Sequence, residues 1–188
     1  MEAVLAGVGV LVVLITLLIV SYNRFVAQMA SMDATWANVE GELQRRHDLV
    51  PNLVATVQGY ARHEQAVFDR VSEARAAAIA ARPTTVPIDQ QARAEDVLTQ
   101  QLSSLLAITE SYPQLLSDAV FRDLQRQLVE TEDRIAAARR LYNLEVAAYE
   151  RRRRAVPSNL VAAAAGFAAR EMFEISDPAA AHAPLAQS

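Results

Sequence analysis

From Ala3 to Val20 the chain is apolar without interruption, and Thr16 is the only polar side chain in the run. A helix advances about 1.5 Å per residue, so this stretch reaches roughly 27 Å, close to the ~30 Å hydrocarbon core of a bilayer. A helix satisfies its own backbone groups, which makes it one of the few shapes such a run can take in lipid. The competing explanation is a cleaved signal peptide, which needs a basic leader, a core of about 7–15 apolar residues and a small-x-small cleavage site. Here the leader is Met1-Glu2, the core is longer, and Ser21-Tyr22-Asn23-Arg24-Phe25 follows. An uncleaved anchor is therefore expected over residues 1–22. Tyr22 and Arg24 suit the headgroup boundary.

Flanking charge sets the expected orientation. Only Glu2 and the amino terminus precede the run, whereas Arg24 and then Arg45-Arg46 follow it. The positive-inside rule then places the N-terminus outside and the remaining chain in the cytoplasm. With no cysteine, the chain has neither disulfides nor thiolate chemistry.

The remainder of the 188 residues is rich in Ala, Leu, Val, Glu, Gln and Arg and poor in glycine, a helical composition sufficient for one core. All 18 basic residues are arginine, a pattern that codon bias explains more simply than 18 bidentate contacts. The net charge of −4 argues against a nucleic-acid partner, because phosphate neutralisation needs a basic surface.

Helical periodicity is strong. Steps of three and four from Trp36 reach Val39, Leu43, Arg46, Val50, Leu53, Val57, Tyr60, Glu64, Val67 and Val71, all apolar or aromatic except Arg46 and Glu64. A second seam runs Phe121, Leu124, Leu128, Thr131, Ile135, Ala138, Tyr142, Glu145, Tyr149. A shorter stripe is Ala94, Leu98, Leu102, Leu105, Ile108. Prolines mark the boundaries at Arg82–Pro87, Tyr112-Pro113 and Val156-Pro157. Ser117 is expected to cap the helix that follows, with Asp118 in its first turn. Pro51 leaves two options: one kinked rod, since the seam keeps its phase, or a new helix capped by Asp48 with Pro51 in its first turn. Burial of Trp36, Val39 and Leu43 favours the break, because the hairpin after Pro83 is too short to cover them. The expected fold is all-α: a transmembrane helix, then an antiparallel four-helix, bromodomain-like bundle over 23–174, then a disordered Ala/Pro tail over 175–188.

The segment Arg45-Arg46-His47-Asp48-Leu49-Val50-Pro51-Asn52-Leu53-Val54, followed by Gly59-Tyr60-Ala61-Arg62-His63-Glu64, resembles the signature of the LemA family. The resemblance continues through Ser72–Arg75, Glu110-Ser111-Tyr112-Pro113, Thr131–Ala136, Tyr142-Asn143 and Val156–Asn159, covering roughly residues 20–173. Glu150 after Tyr149 and Val156 before Pro157 depart from the family's usual pattern. The resemblance implies a membrane helix with a tiny external N-terminus, a helical bundle, and no established biochemical activity. It supplies no catalytic residues.

Nothing in the sequence assembles a catalytic or metal centre, and no cofactor is expected. His63-Glu64 opens like a metalloprotease helix, but Val67 stands where the second histidine is needed. Candidate residues for partner binding or for fixing helix register are Arg45, Arg46, Asp48, Pro51, Asn52, Gly59, Tyr60, His63, Glu64, Tyr112 and Pro113. Arg45, Asp48 and Asn52 fall on one face if the helix continues. Tyr60 and Glu64 stand at i,i+4 with His63 beside them. Gly59, costly inside a helix, suggests close approach by a neighbouring helix or by a partner. The run Arg151–Arg154 suits a helix C-terminus, or alternatively anionic lipid.

Two functions follow. The favoured one is a membrane-anchored scaffold or adaptor that contacts lipid through residues 3–20 and docks on an envelope protein or on itself. The alternative is an enzyme or small-ligand sensor, which requires a concave site where Arg46, His63, Glu64 and Tyr112 converge.

Overall fold

A computed structural model describes residues 1–83 and 85–175, and among these every regular element is helical. The expected tail from Ser176 onward lies outside the described residues. The elements are α1 (Glu2–Tyr60), α2 (Gln65–Ala80), α3 (Ile88–Thr109), α4 (Pro113–Ser117), α5 (Ala119–Arg154) and α6 (Ser158–Ala165).

Helix α1 is a single 59-residue rod that carries the exposed apolar run at one end and the bundle's central helix at the other. The expected break at Pro51 does not occur. Proline removes one amide donor and thereby frees the carbonyl four residues earlier. That carbonyl belongs to His47, and the Arg75 Nε from α2 donates to it at 2.7 Å. A neighbouring helix thus replaces the missing bond, and the rod continues.

The chain turns instead at Ala61–Glu64, where neither proline nor glycine marks the sequence. The seam keeps its phase across this turn, so periodicity cannot register it. The Glu64 amide closes the turn on the Ala61 carbonyl at 3.1 Å, and the buried Ala61 methyl sits under it. α2 then runs back along α1, as Gln58–Gln65, His47–Arg75 and the Arg82–Gln44 hydrogen bond show. α3 ascends, α4 spans the tip and α5 descends beside α1, giving an up-down-up-down bundle. Asp118, rather than Ser117, caps α5, accepting from Val120 N at 2.8 Å and Phe121 N at 3.0 Å.

The burial that favoured a break has another source. α5 and the extended segment 167–175 cover the lower half of α1, with Trp36 packed on Tyr142 and Phe173, both at 5.1 Å between ring centroids. Gly166, at φ +73°, provides the left-handed turn that releases this segment from α6. The segment is then tied to α5. Tyr149 and Tyr142 donate to the Ala168 and Glu171 carbonyls, and Asn143 exchanges two bonds with Phe173. Glu150, a departure from the family pattern, accepts from the Arg170 amide at 3.0 Å.

Candidate functional site

Two apolar clusters fill the bundle. The distal one includes Val50, Leu53, Val57, Phe68, Leu98, Leu105 and Phe121; the proximal one includes Phe25, Val39, Leu43, Ile135, Tyr142, Tyr149 and Phe173. Between them lies one polar layer contributed by α1, α3 and α5. Its centre is Arg46, 1% exposed, whose Nη2 pairs with the Glu95 carboxylate. Its Nη1 reaches Thr99 Oγ1 at 2.9 Å and Glu132 Oε1 at 3.1 Å. His47, also buried, sets Nε2 3.1 Å from Glu95 Oε1. Thr99 donates onward to the Glu95 carbonyl at 3.0 Å.

Charges this deep must be paired, since an isolated one costs several kcal/mol. Burial would push the Glu95 carboxyl up, but the His47 hydrogen bond and the Arg46 charge outweigh it and hold the group below the usual carboxylate range. Burial likewise works against the Arg46 cation, and Glu132 and Glu95 together raise its pKa. The layer reaches solvent at the half-buried Thr99 and at Glu132, whose side chain is 32% exposed. It links α1, α3 and α5 through Arg46, Glu95 and Glu132, and slipping one helix by a turn would leave a buried charge against an apolar cluster.

The residues singled out from the sequence fall into separate environments. Arg45, Asp48, Pro51 and Asn52 are exposed; Arg45 pairs with Glu42 at 3.3 Å and Asp48 accepts from Gln44 at 2.7 Å. Tyr60 donates to Asp118 Oδ2 at 2.9 Å, closing the tip of the bundle. The Phe121 amide first, and the Tyr60 hydroxyl after it, hold the Asp118 carboxyl low. Tyr60 and Glu64 are not helical neighbours, because α1 ends between them. His63 is exposed in that turn, and Glu64 precedes α2 without a side-chain capping bond. Tyr112 packs against the distal cluster, and Pro113 begins α4.

Arg46, His63, Glu64 and Tyr112 do not converge. Arg46 stands fourteen residues below the end of α1, roughly 21 Å down the rod, and is internally paired. Among the described residues no three His, Cys, Asp or Glu side chains gather as a metal ion requires. No neighbouring helix makes the close approach expected at Gly59. It is exposed, a Cβ there would meet nothing within 4 Å, and its φ is not positive. Gly59→Ala should therefore stabilise the bundle by about 1 kcal/mol through helix propensity. A urea midpoint that stays put or falls would mean that something does approach this backbone.

The sequence pointed to Arg46 but not to its partners. Stepping back from Leu102 and Leu98 in the α3 stripe lands on Glu95, which was the available signal; counting from Ala94 hid it. Glu132 sits one residue beyond Thr131 in the α5 seam, on its solvent shoulder.

An open groove of about 580 Å³ separates α1 from α5 beside the signature, lined by Asn38, Gly41, Glu42, Arg45, Arg134 and Leu141 among others. These features define a class: a helical bundle organised by a buried ionic layer and continuous with an apolar N-terminal helix. The family model described as the LemA family matches residues 35–186, and the chain belongs to the LemA family. It is similar to the magnetosome protein MamQ of Magnetospirillum gryphiswaldense, 29% identical over 185 residues that cover 87% of this chain and 68% of the relative. Magnetosome proteins MamQ 1 and MamQ 2 of Paramagnetospirillum magneticum are each 28% identical with the same coverage.

Proposed function

We propose that this protein is a membrane-anchored scaffold: α1 spans the bilayer through residues 3–20, and the bundle acts by contacting a membrane or envelope protein or a second copy of itself. The observation that carries this reading is the continuity of α1. The exposed apolar run and the core helix of the bundle are one rod without a linker, so anchor and body move together. The relatives are named for a cellular structure, the magnetosome, rather than for a reaction. By the positive-inside rule the N-terminus faces out and the bundle lies in the cytoplasm.

The contact face is the exposed strip Arg45, Asp48 and Asn52, beside the groove between α1 and α5. Arg46 takes no part in it, being enclosed. The test is crosslinking in intact membranes, comparing the native chain with a variant carrying Arg45→Ala, Asp48→Ala and Asn52→Ala. Crosslinked species are expected for the native chain and should be lost in a variant whose melting is unchanged. Recovery of uncrosslinked monomer alone from the native chain would overturn the proposal.

A further inference from the structure

Helix α6 closes the membrane-facing end of the bundle, and its surroundings are unlike those of any other element. Leu160, Val161, Ala164 and Ala165 line an apolar notch of about 550 Å³ together with Leu18, Ile19 and Tyr22. Leu18 and Ile19 belong to the last turn of the apolar run, so the outer face of α6 stands at the same level as the end of the span. That face is greasy: Leu160 is 67% exposed and Val156, just before α6, is 81% exposed. Beneath it, aromatic rings join the segment that follows α6 to α1. Phe167 stacks on Phe25 at 4.7 Å and leans on Tyr22 at 5.5 Å.

Charge points the same way. From Glu150 to Arg170 there are five arginines and one acid. Glu150 is committed, holding Arg153 at 2.9 Å and the Arg170 amide at 3.0 Å, with Arg154 more loosely at 3.6 Å. Arg151, Arg152 and Arg154 thus form a cationic step between the body of the bundle and the exposed apolar residues. An apolar surface level with a span, backed by cations, matches the layering of a bilayer boundary, with acyl chains first and phosphates next.

The geometry points to α6 as a second membrane contact: an interfacial helix that seats Val156 and Leu160 among acyl chains while Arg151, Arg152 and Arg154 meet anionic headgroups. This rests on the anchoring reading of α1, and the experiment separates the two. The chain has no cysteine, so single spin labels can be placed by L11C, L144C, V156C and L160C in full-length protein reconstituted into vesicles. The vesicles are phosphatidylcholine alone or mixed with phosphatidylglycerol.

Labels at 11, 156 and 160 should collide with lipid-dissolved oxygen and be shielded from an aqueous nickel chelate. Leu144, 65% exposed higher on α5, should show the reverse, with a several-fold difference in the accessibility ratio. If position 11 is lipid-exposed while 156 and 160 match 144, the α6 contact is wrong and the anchor stands. If 156 and 160 are shielded from both probes, protein covers the notch and the proposal also falls. If position 11 meets water, both readings fail. Replacing Arg151, Arg152 and Arg154 with Gln should abolish the extra depth at 160 that phosphatidylglycerol confers. Equal depth in both lipids with the native chain would remove the headgroup contact.

Discussion

Replacing Glu95 with leucine is expected to cost about 3–5 kcal/mol of bundle stability, the range for breaking a buried ion pair on one side. The carboxylate is 1% exposed and meets both Arg46 and His47, so its loss leaves a buried guanidinium with only Glu132 and Thr99. The same pair makes stability depend on acid. Because the folded Glu95 carboxyl lies below its ordinary value of 4.5, its contribution is complete above that pH. It is lost as pH falls through the lower, folded value. Urea unfolding of the full-length chain in micelles, repeated from neutral pH down to about 3, should show an acid limb that flattens in Glu95→Leu. A companion variant adding Arg46→Met should recover much of the loss, since an apolar pair can replace an ionic one without penalty. A Glu95→Leu protein as stable as the native one would mean that the layer is not a structural clamp.

Phe25→Ala should rank next, at about 3–5 kcal/mol, the usual range for truncating a fully buried aromatic. Phe25 is 0% exposed, edge-on to Tyr149 at 5.9 Å and stacked on Phe167 at 4.7 Å. At about 2–4 °C per kcal/mol for a chain of this size, the melting temperature should fall by roughly 10 °C. The damage should be local before it is global. Amides of 158–175 should exchange faster with solvent while those around Leu98–Leu105 keep their protection, because the polar layer separates the two clusters. Uniform acceleration along the chain would show that the halves unfold as one unit.

Much of this fold was written in the periodicity. The seam from Val39 to Val57 and the one from Phe121 to Tyr149 are the buried faces of α1 and α5, except that Val146 replaces Glu145 at one step. What escaped was decided by contacts between distant segments. Pro51 signals a break only if its neighbourhood cannot satisfy His47, and Arg75, twenty-eight residues from that carbonyl, does so. The turn at Ala61–Glu64 leaves the heptad phase intact and carries no breaker residue. The covering of Trp36 by Phe173 depends on a segment without helical pattern, returning after Gly166.

The buried layer was half legible. An arginine at an apolar seam position announces that a partner exists, since nothing else lets it stay there. Which carboxylate answers it depends on how three helices align, and that alignment is tertiary information. Gly59 teaches the opposite lesson: its presence in a helix suggested a constraint, and the structure leaves open space around it.

The uninterrupted α1 has a mechanical corollary. With the span placed as proposed, the stretch from Tyr22 to Tyr60 extends roughly 57 Å beyond the bilayer edge at 1.5 Å per residue. A lean of about 20°, ordinary for a single span, would sweep the far end sideways by roughly 20 Å. Local thinning or crowding of lipid around the first twenty residues would thus be read out at the opposite extremity, in the manner of a pointer on a gauge.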